Sequence, residues 1–183
     1  MKNAVCVVPL LIVLLVQPLL CHGGQAFPDF SLQGELTQEH RQYLGVDSPL
    51  VRLSEVQAEY LFIEVYSLYC APCQREAPTV NEMYETTIRT GLGSTVKFLG
   101  IAAGNTPYEV EVFREQFQVE FPLFSDEDYV VHEAIGNMGT PYFVLVRVGG
   151  TDNLEVLYAH EGAPEQMEGV YEEMIRLAIP SDQ

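Results

Sequence analysis

Two cysteines, Cys70 and Cys73, lie three positions apart in the segment Cys-Ala-Pro-Cys. They come between an apolar run that ends near Tyr66 and a stretch with helical periodicity, so Cys70 is expected at a helix N-terminus. Free backbone amides and the positive end of the helix dipole stabilise a thiolate there, which lowers the thiol pKa from about 8.5 toward neutrality. Cys73 lies one turn further into the helix, where it is placed to attack a mixed disulfide formed on Cys70. This spacing indicates thiol–disulfide chemistry, with Pro72 fixing the geometry between the two thiols.

The number of cysteines supports that interpretation. Of the four in the sequence, Cys6 and Cys21 lie in the N-terminal segment, which leaves one pair for the folded domain. A bridge that spans two residues restricts the unfolded chain very little, so the pair suits electron exchange better than structural stabilisation. A static disulfide is the alternative. A zinc site would need four ligands, and the sequence offers no second cysteine pair. Four histidines form no recognisable cluster, and we expect no metal or other cofactor; these are His22, His40, His132 and His160.

The N-terminal segment has the composition of an export signal. A short positive start is followed by an apolar run over residues 4–16 and then by small residues. This order predicts a signal peptide over residues 1–23, with cleavage between residues 23 and 26. A lipid-modified Cys21 and an uncleaved anchor are the alternatives, although the apolar run is shorter than the ~20 residues that span a membrane. All three place residues 27–180 outside the cytoplasm.

The charge of the chain excludes some classes of protein. Its 183 residues include 26 acidic and 9 basic side chains, which give a net charge of −17. Such a field repels phosphate backbones, so we expect no nucleic-acid partner. It also opposes docking on anionic lipid through a basic patch, so membrane contact is expected only through the N-terminal segment. The chain is 48% hydrophobic and its length suits a single domain with an ordinary core.

Strand and helix patterns alternate along the domain and position the cysteine pair between a strand and a helix. Thr106, Pro107 and Glu109 have the types and spacing of a helix N-terminus with a capping box. The final helix is expected to open at Pro164. The predicted strands cover residues 61–66, 96–102, 142–148 and 154–159. Residues 27–32 and 121–124 are each expected to form a short strand or an extended segment. The predicted helices cover 36–44, 73 to about 91, a segment from 107 and a segment from 164.

Two helices are predicted to present a single apolar face to the core. On the helix after the cysteines the face comprises Ala77, Val80, Tyr84 and Ile88; on the final helix it comprises Met167, Val170, Met174 and Leu177. Strand–helix alternation followed by a hairpin and a helix predicts an α/β sandwich with a mixed sheet.

A strand, the CAPC segment at the head of a helix, and Gly139-Thr140-Pro141 before a hairpin together resemble the thioredoxin fold. The resemblance covers roughly residues 27–179. Within that fold, the N-terminal FPDFSL, Glu76 and the GTP segment look like the exported, TlpA-like thiol:disulfide oxidoreductases and their redoxin relatives. The resemblance implies a thioredoxin-like three-layer sandwich, in which helices flank a mixed central β-sheet.

The resemblance also implies roles for individual residues. Cys70 would be the attacking thiol and Cys73 the resolving thiol. Pro141 would follow a cis peptide bond beside the disulfide, and the Thr140 backbone would pair with the substrate chain like an added strand. Tyr69 stands where the family usually has tryptophan and would contact the partner. Glu76 matches the acidic residue of the TlpA-like branch and would move a proton to or from the cysteines, the alternative being a solvated helix carboxylate.

Glu64 interrupts an otherwise apolar strand six positions before Cys70, where thioredoxins carry a buried acid. A central strand is covered on both faces, so we expect this carboxyl to be desolvated and its pKa raised. It would then act as general base for Cys73. A glutamate that reaches water or bonds a neighbouring tyrosine is the alternative.

The leading hypothesis is an exported thiol:disulfide oxidoreductase, acting as a reductant in the bacterial periplasm or on the outer side of the cytoplasmic membrane. Its partners would be protein thiols or disulfides and a membrane or periplasmic protein that recycles it. A thiol peroxidase is the second hypothesis, since Ser67 stands three positions before Cys70, although Ile63 occupies the place of that motif's proline. A copper carrier using Cys70, Cys73 and His160 is the third.

Overall fold

The structure is a computed structural model that describes residues 24–149 and 154–179. Within these residues the chain forms eight strands and five α-helices. The strands are β1 (Gln25–Phe27), β2 (Ser31–Gln33), β3 (Leu50–Arg52), β4 (Tyr60–Tyr66), β5 (Val96–Ala103), β6 (Leu123–Asp126), β7 (Tyr142–Arg147) and β8 (Leu154–Glu161). The helices are α1 (Gln38–Leu44), α2 (Ala71–Arg89), α3 (Pro107–Phe117), α4 (Val130–Ala134) and α5 (Met167–Ala178).

Six of the strands form one mixed sheet in the order β1-β8-β7-β4-β5-β6. Strands β4, β5 and β6 are parallel, whereas β7, β8 and β1 follow in antiparallel pairs on the other side of β4. Strand β4 is therefore internal to the sheet, and all seven of its residues are buried. This sheet, flanked by helices, confirms the predicted α/β sandwich.

Two apolar cores lie on opposite faces of the sheet, as the alternation of side chains along β4 requires. Phe62 and Tyr66 face the core that is closed by α2, α3 and α5. Ile63 and Val65 face the core that is closed by α1, α4 and the β2–β3 pair. Glu64 alternates with Phe62 and Tyr66, so its carboxyl lies on the side covered by α2.

The loop that carries Cys70 and two neighbouring loops lie at one edge of the sheet. Because β4, β5 and β6 are parallel, their carboxyl ends lead into loops 67–70, 104–106 and 127–129 at the same edge. Strand β7 runs the opposite way and begins at this edge with Tyr142, opposite Glu161 at the end of β8. Ligand sites of open α/β sheets lie outside the carboxyl ends of the strands.

The predicted capping box on α3 is present. The Thr106 hydroxyl accepts a hydrogen bond from the Glu109 backbone N–H at 3.3 Å, and the Glu109 carboxylate accepts one from the Thr106 N–H at 2.8 Å. Such a cap contributes about 1 kcal/mol to helix stability. It fixes the first turn of α3 beside the loop that carries Tyr69.

The prediction of one strand over residues 27–32 is wrong. Two short strands stand in its place: β1 pairs with β8, and β2 pairs with β3 in a separate two-stranded sheet. Pro28 lies between them, and proline supplies no N–H to continue a ladder. Strand β1 also begins at Gln25, two residues before the predicted start of the domain. Strand β6 begins at Leu123 rather than at residue 121.

The predicted apolar faces of two helices also need correction. Ile88, predicted to face the core, is 44% exposed. Met83 and Thr87, which were not predicted to do so, are buried, so the buried face of α2 is rotated relative to the predicted one. Helix α5 begins at Met167 after the N-cap Gln166, not at Pro164. It buries Ala178, and the predicted Leu177 is partly buried against the same core.

Some predictions fall on residues that the structure does not describe. The signal peptide over residues 1–23 is one, with His22, Cys6 and Cys21 inside it, and residues 150–153 of the β7–β8 connection are another. Among the described residues, no helix has the length and apolarity needed to cross a membrane.

Candidate functional site

Cys70 is the N-cap residue of α2, as predicted, and the sequence around it explains why the helix starts there. Its N–H donates to the Ser67 carbonyl at 3.1 Å, and its sulfur accepts the Cys73 N–H at 3.2 Å. Pro72 occupies the first turn, where its missing N–H costs no helical hydrogen bond. The two sulfurs form a disulfide, with the Cα atoms 5.2 Å apart. Cys70 is partly exposed, whereas Cys73 is fully buried.

The Thr140–Pro141 segment lies directly against this disulfide. Its peptide bond is cis, as the resemblance implies, and the Thr140 carbonyl oxygen lies 3.3 Å from Cys70 Sγ. Thr140 is partly exposed and Pro141 is buried. The group that faces Cys70 across the cleft is therefore a backbone carbonyl.

Two side chains that sequence reasoning missed hold the Thr140–Pro141 segment in place. The His132 Nε2 donates to the Met138 carbonyl at 2.8 Å; because a carbonyl only accepts, this nitrogen carries the proton. Glu161 accepts the Gly139 N–H at 2.7 Å, and the Pro141 carbonyl accepts the Gly162 N–H at 2.8 Å. Residues on α4 and β8 thus fix the position of the carbonyl that contacts Cys70.

Asn105, also missed, fixes the other side of the cleft. Its side-chain oxygen accepts the Leu68 N–H at 2.7 Å, which ties the loop before Cys70 to the loop after β5. Asn105 is 1% exposed, so this buried amide has a defined partner. A buried asparagine directly after the left-handed Gly104 is the local signal for such a loop tie.

Glu64 is buried at the centre of the sheet, where the sequence places it, with 2% of its surface exposed. Burial raises the pKa of its carboxyl to about 8, and the negative charge of Glu76 adds to that rise. Its Oε1 has no hydrogen-bond partner among the described residues, and neither has the hydroxyl of Tyr66. Of the two expected alternatives, a hydrogen bond to a neighbouring tyrosine is absent between Glu64 Oε1 and Tyr66, and the 2% exposure of Glu64 leaves its carboxyl little contact with water.

Glu76 and Tyr69 flank the cysteine pair in the sequence. Glu76 is half-buried on α2, three residues after Cys73. Its negative charge lies close enough to Glu64 to raise the pKa of the Glu64 carboxyl. Tyr69 is 72% exposed, and its hydroxyl donates to the Glu109 carboxylate in the first turn of α3. That hydrogen bond lowers the pKa of Glu109 and raises the pKa of Tyr69.

A cleft of about 420 Å³ opens over Cys70. Its walls come from the loop before Cys70, from α4 and from the segment that ends at Thr140, and they include Ser67, Tyr129 and Met138. No three His, Cys, Asp or Glu side chains of residues 24–149 and 154–179 come together as metal ligands do. His160 and His40 lie on β8 and α1, and neither lines this cleft.

Comparison with known proteins identifies relatives for most of the chain. A model of the AhpC/TSA family matches residues 23–154. A protein named thiol-disulfide oxidoreductase ResA from Geobacillus thermodenitrificans is 29% identical over 127 residues, which are 69% of this chain and 64% of the relative. The protein of the same name from Geobacillus kaustophilus is 29% identical over 123 residues, 66% of this chain and 62% of that one. The chain thus spans slightly less than two thirds of the length of these two relatives.

A solved structure shows the same fold. The crystal structure of a putative thiol:disulfide interchange protein DsbE from Chlorobium tepidum superposes with a TM-score of 0.65 at 21% sequence identity. The match covers 85% of this chain and 96% of that one. It establishes the thioredoxin-like arrangement of sheet and helices.

Proposed function

We propose that this chain, which belongs to the AhpC/TSA family, is a thiol:disulfide oxidoreductase that exchanges electrons with protein disulfides through Cys70 and Cys73. The observation that carries the proposal is the disulfide at the N-terminus of α2, with Cys70 Sγ 3.3 Å from the Thr140 carbonyl. An exposed sulfur, a buried second sulfur and a neighbouring backbone for the substrate are the parts that such exchange requires. The names of the two Geobacillus relatives agree with it.

The first step is attack on the substrate. With the pair reduced, the Cys70 thiolate attacks one sulfur of a substrate disulfide, the substrate S–S bond breaks, and a mixed disulfide forms on Cys70. The departing substrate sulfur leaves as a thiolate and takes up a proton. The amides at the start of α2 stabilise the Cys70 thiolate before attack, and the Cys73 N–H already points at this sulfur.

The second step releases the product. Cys73 loses its proton and attacks Cys70 Sγ, the mixed disulfide breaks, and the second substrate sulfur leaves reduced. Two electrons pass to the substrate, and the Cys70–Cys73 disulfide is left behind. Burial keeps Cys73 from external disulfides and leaves the sulfur of Cys70 as its target.

Glu64 supplies the proton acceptor for that second step. A general base works best when its pKa lies near the pH at which it operates. With a pKa of about 8, the Glu64 carboxyl is mostly protonated at pH 7, and its ionised fraction, which grows as the pH rises toward 8, accepts the Cys73 proton. When the disulfide is later reduced by a recycling partner, the proton returns from Glu64 to the departing Cys73 thiolate. Burial is the main cause of the high proton affinity of Glu64, and the charge of Glu76 raises it further.

We also propose that the protein is exported and works as a reductant, with a membrane or periplasmic partner that recycles it. The composition of residues 1–23 supports the export signal, and export places the domain in the bacterial periplasm or outside the cytoplasmic membrane. Strand β1 pairs Gln25 with Val156 and Phe27 with Leu154, so cleavage after Gly23 would keep β1, whereas cleavage after Ala26 would remove most of it.

The test is a direct comparison of electron acceptors. The purified, reduced protein is mixed with insulin, as a protein disulfide, and separately with hydrogen peroxide. Rapid loss of insulin disulfides, with formation of one Cys70–Cys73 bridge per turnover, supports the proposal. Rapid consumption of peroxide with no reaction with insulin would favour a thiol peroxidase instead.

A further inference from the structure

Three exposed tyrosines lie at the edge of the sheet that carries the Cys70 cleft, and two of them, Tyr69 and Tyr129, line this cleft. Tyr69 is 72% exposed, Tyr108 is 77% exposed and Tyr129 is 47% exposed. Tyr69 and Tyr129 belong to the loops that follow β4 and β6, and Tyr108 lies in the first turn of α3, after the loop that follows β5. Solvated aromatic side chains in such numbers next to a reactive sulfur are typical of a contact surface.

Contacts of the described residues connect the segments that carry these tyrosines. The Tyr69 hydroxyl bonds Glu109, the residue after Tyr108. The Tyr129 ring lies over Gly104, where an added Cβ would collide with the tyrosine ring and hydroxyl. Tyr129 and Tyr69 both line the cleft over Cys70. We call the exposed side chains of Tyr69, Tyr108 and Tyr129 the tyrosine rim.

Acidic side chains lie on the same loops and helices as the tyrosine rim. Glu127 and Asp128 are exposed directly before Tyr129, and they line the same groove as Pro107, the residue before Tyr108. Glu133 is exposed on α4, and the hydrogen bond from Tyr69 keeps the pKa of Glu109 low, so that this carboxylate is ionised.

Basic side chains are missing from these loops. Residues 67–69, 104–109 and 127–139 contain no lysine or arginine, and His132 in the last range is engaged with Met138. Arg75, exposed on α2 two positions after Cys73, is the positive side chain nearest in sequence to the cysteine pair. The surface beside Cys70 is thus aromatic and anionic.

We propose that the tyrosine rim docks the segment of a protein disulfide that carries lysine or arginine beside its cysteine. This inference rests on the proposed function. Tyrosine faces attract ammonium and guanidinium groups, and the aliphatic stems of these side chains pack on the rings. The carboxylates of Glu127, Asp128 and Glu133 complement the same cations. The backbone of the segment would meanwhile lie against Thr140, which brings its disulfide to Cys70.

Docking leaves the chemistry of the exchange unchanged, so the tyrosine rim should affect the rate at which the protein and its substrate associate. Charged clefts raise the association rate of oppositely charged partners by about 10- to 1000-fold at low salt. This attraction weakens as salt screens it, with a Debye length of about 10 Å at 0.1 M. A basic substrate should therefore react faster than an acidic one, and the advantage should shrink at high ionic strength.

The experiment compares two disulfide-linked peptide dimers of one sequence, with arginine or glutamate on either side of the cysteine. Exchange with the reduced protein is timed at low and high salt, and neutral hydroxyethyl disulfide reports the intrinsic reactivity of Cys70. We expect the arginine peptide to react about tenfold faster at low salt, with that ratio falling at 0.5 M salt to about two- to threefold.

Variants separate the rim from the overall negative charge. Glu127→Gln with Asp128→Asn should lower the arginine-to-glutamate ratio about threefold, as loss of nearby charges lowers steering. The matched control, Glu85→Gln with Glu115→Gln near the far ends of α2 and α3, changes the net charge equally and should leave the ratio unchanged. Tyr108→Ser should slow the arginine peptide about two- to fivefold, whereas Ile88→Ser, at an exposed apolar position far along α2, should not.

The outcomes distinguish this inference from the function on which it rests. Absence of exchange with hydroxyethyl disulfide and with both peptides would overturn the proposed function. Normal exchange with hydroxyethyl disulfide but equal rates for the two peptides would overturn the docking inference alone. An equal fall in the ratio for both double variants would also overturn it, since total charge would then explain the preference.

Discussion

Glu64 on the central strand and Glu76 on α2 form an interacting pair of carboxyl groups beneath the cysteines. Glu64 is buried and Glu76 is half-buried, and the charge of Glu76 adds to the effect of burial in raising the pKa of Glu64 to about 8. In the folded protein the Glu64 carboxyl is therefore mostly protonated at pH 7, whereas in the unfolded chain it is ionised. That difference has consequences for both stability and exchange.

Glu64→Gln should change how stability depends on pH. Between about pH 4.5 and pH 8 the unfolded chain ionises Glu64 while the folded protein keeps it protonated, so stability falls as pH rises through this range. The loss is on the order of 5 kcal/mol across the whole range. Urea unfolding of the oxidised protein should show this decline in the parent and a much weaker one in the variant. Parallel curves for the two proteins would mean that Glu64 is ionised in the fold.

Glu76→Gln should move the pH profile of exchange. Removing the charge of Glu76 removes one cause of the raised pKa of Glu64, so the inflection near pH 8 should shift to lower pH. The measurement is the rate of product release from a preformed mixed disulfide between pH 5 and 9. Glu82→Gln, an exposed position on the same helix, serves as the matched control and should leave the profile in place. An unchanged pH profile in Glu76→Gln would contradict a role in exchange and would mean that Glu76 is a solvated helix carboxylate.

The two cysteines should respond differently to substitution. Cys70→Ser should abolish turnover, because the exposed attacking sulfur is lost. Cys73→Ser should accumulate mixed disulfides on Cys70, because nothing remains to resolve them. Mass spectrometry after reaction with insulin detects the trapped species. Mixed disulfides that form as readily on Cys73 in Cys70→Ser would reverse the assigned roles.

His132→Ala should weaken substrate positioning with little effect on intrinsic thiol reactivity. The variant loses the hydrogen bond to Met138, which holds the segment that contacts Cys70 through Thr140. One hydrogen bond is worth about 1 kcal/mol, so exchange with peptide disulfides should slow by about fivefold. Hydroxyethyl disulfide, which needs no backbone pairing, should react at the parental rate. His160→Ala on β8 is the matched control; an equal slowing of both disulfides in His132→Ala would contradict a positioning role.

Local patterns made the cysteine site and much of the framework predictable. The CAPC segment, the capping box of Thr106 and Glu109, and the apolar strand around Glu64 each lie within a few residues, where spacing alone determines the geometry. Burial of Glu64 followed from the position of its strand inside the mixed sheet, between β5 and β7.

The parts that sequence reasoning missed depend on tertiary contacts or on weak local signals. Helix α4 is five residues long and begins after Tyr129 in a left-handed conformation, a combination with no clear sequence pattern. The hydrogen bond between Tyr69 and Glu109 joins residues 40 positions apart. The separate strands β1 and β2 are distinguished by their partners β8 and β3, which no local pattern identifies.

The reduction potential of the Cys70–Cys73 pair tests the central claim most directly. The purified protein is equilibrated in dithiothreitol or glutathione buffers, and the fraction of disulfide is measured at each ratio. A reductant should give a reversible two-electron couple near the ~−270 mV of thioredoxin. A potential near the ~−120 mV of strong periplasmic oxidants would contradict the reductant role. The absence of any reversible couple would contradict thiol–disulfide exchange itself.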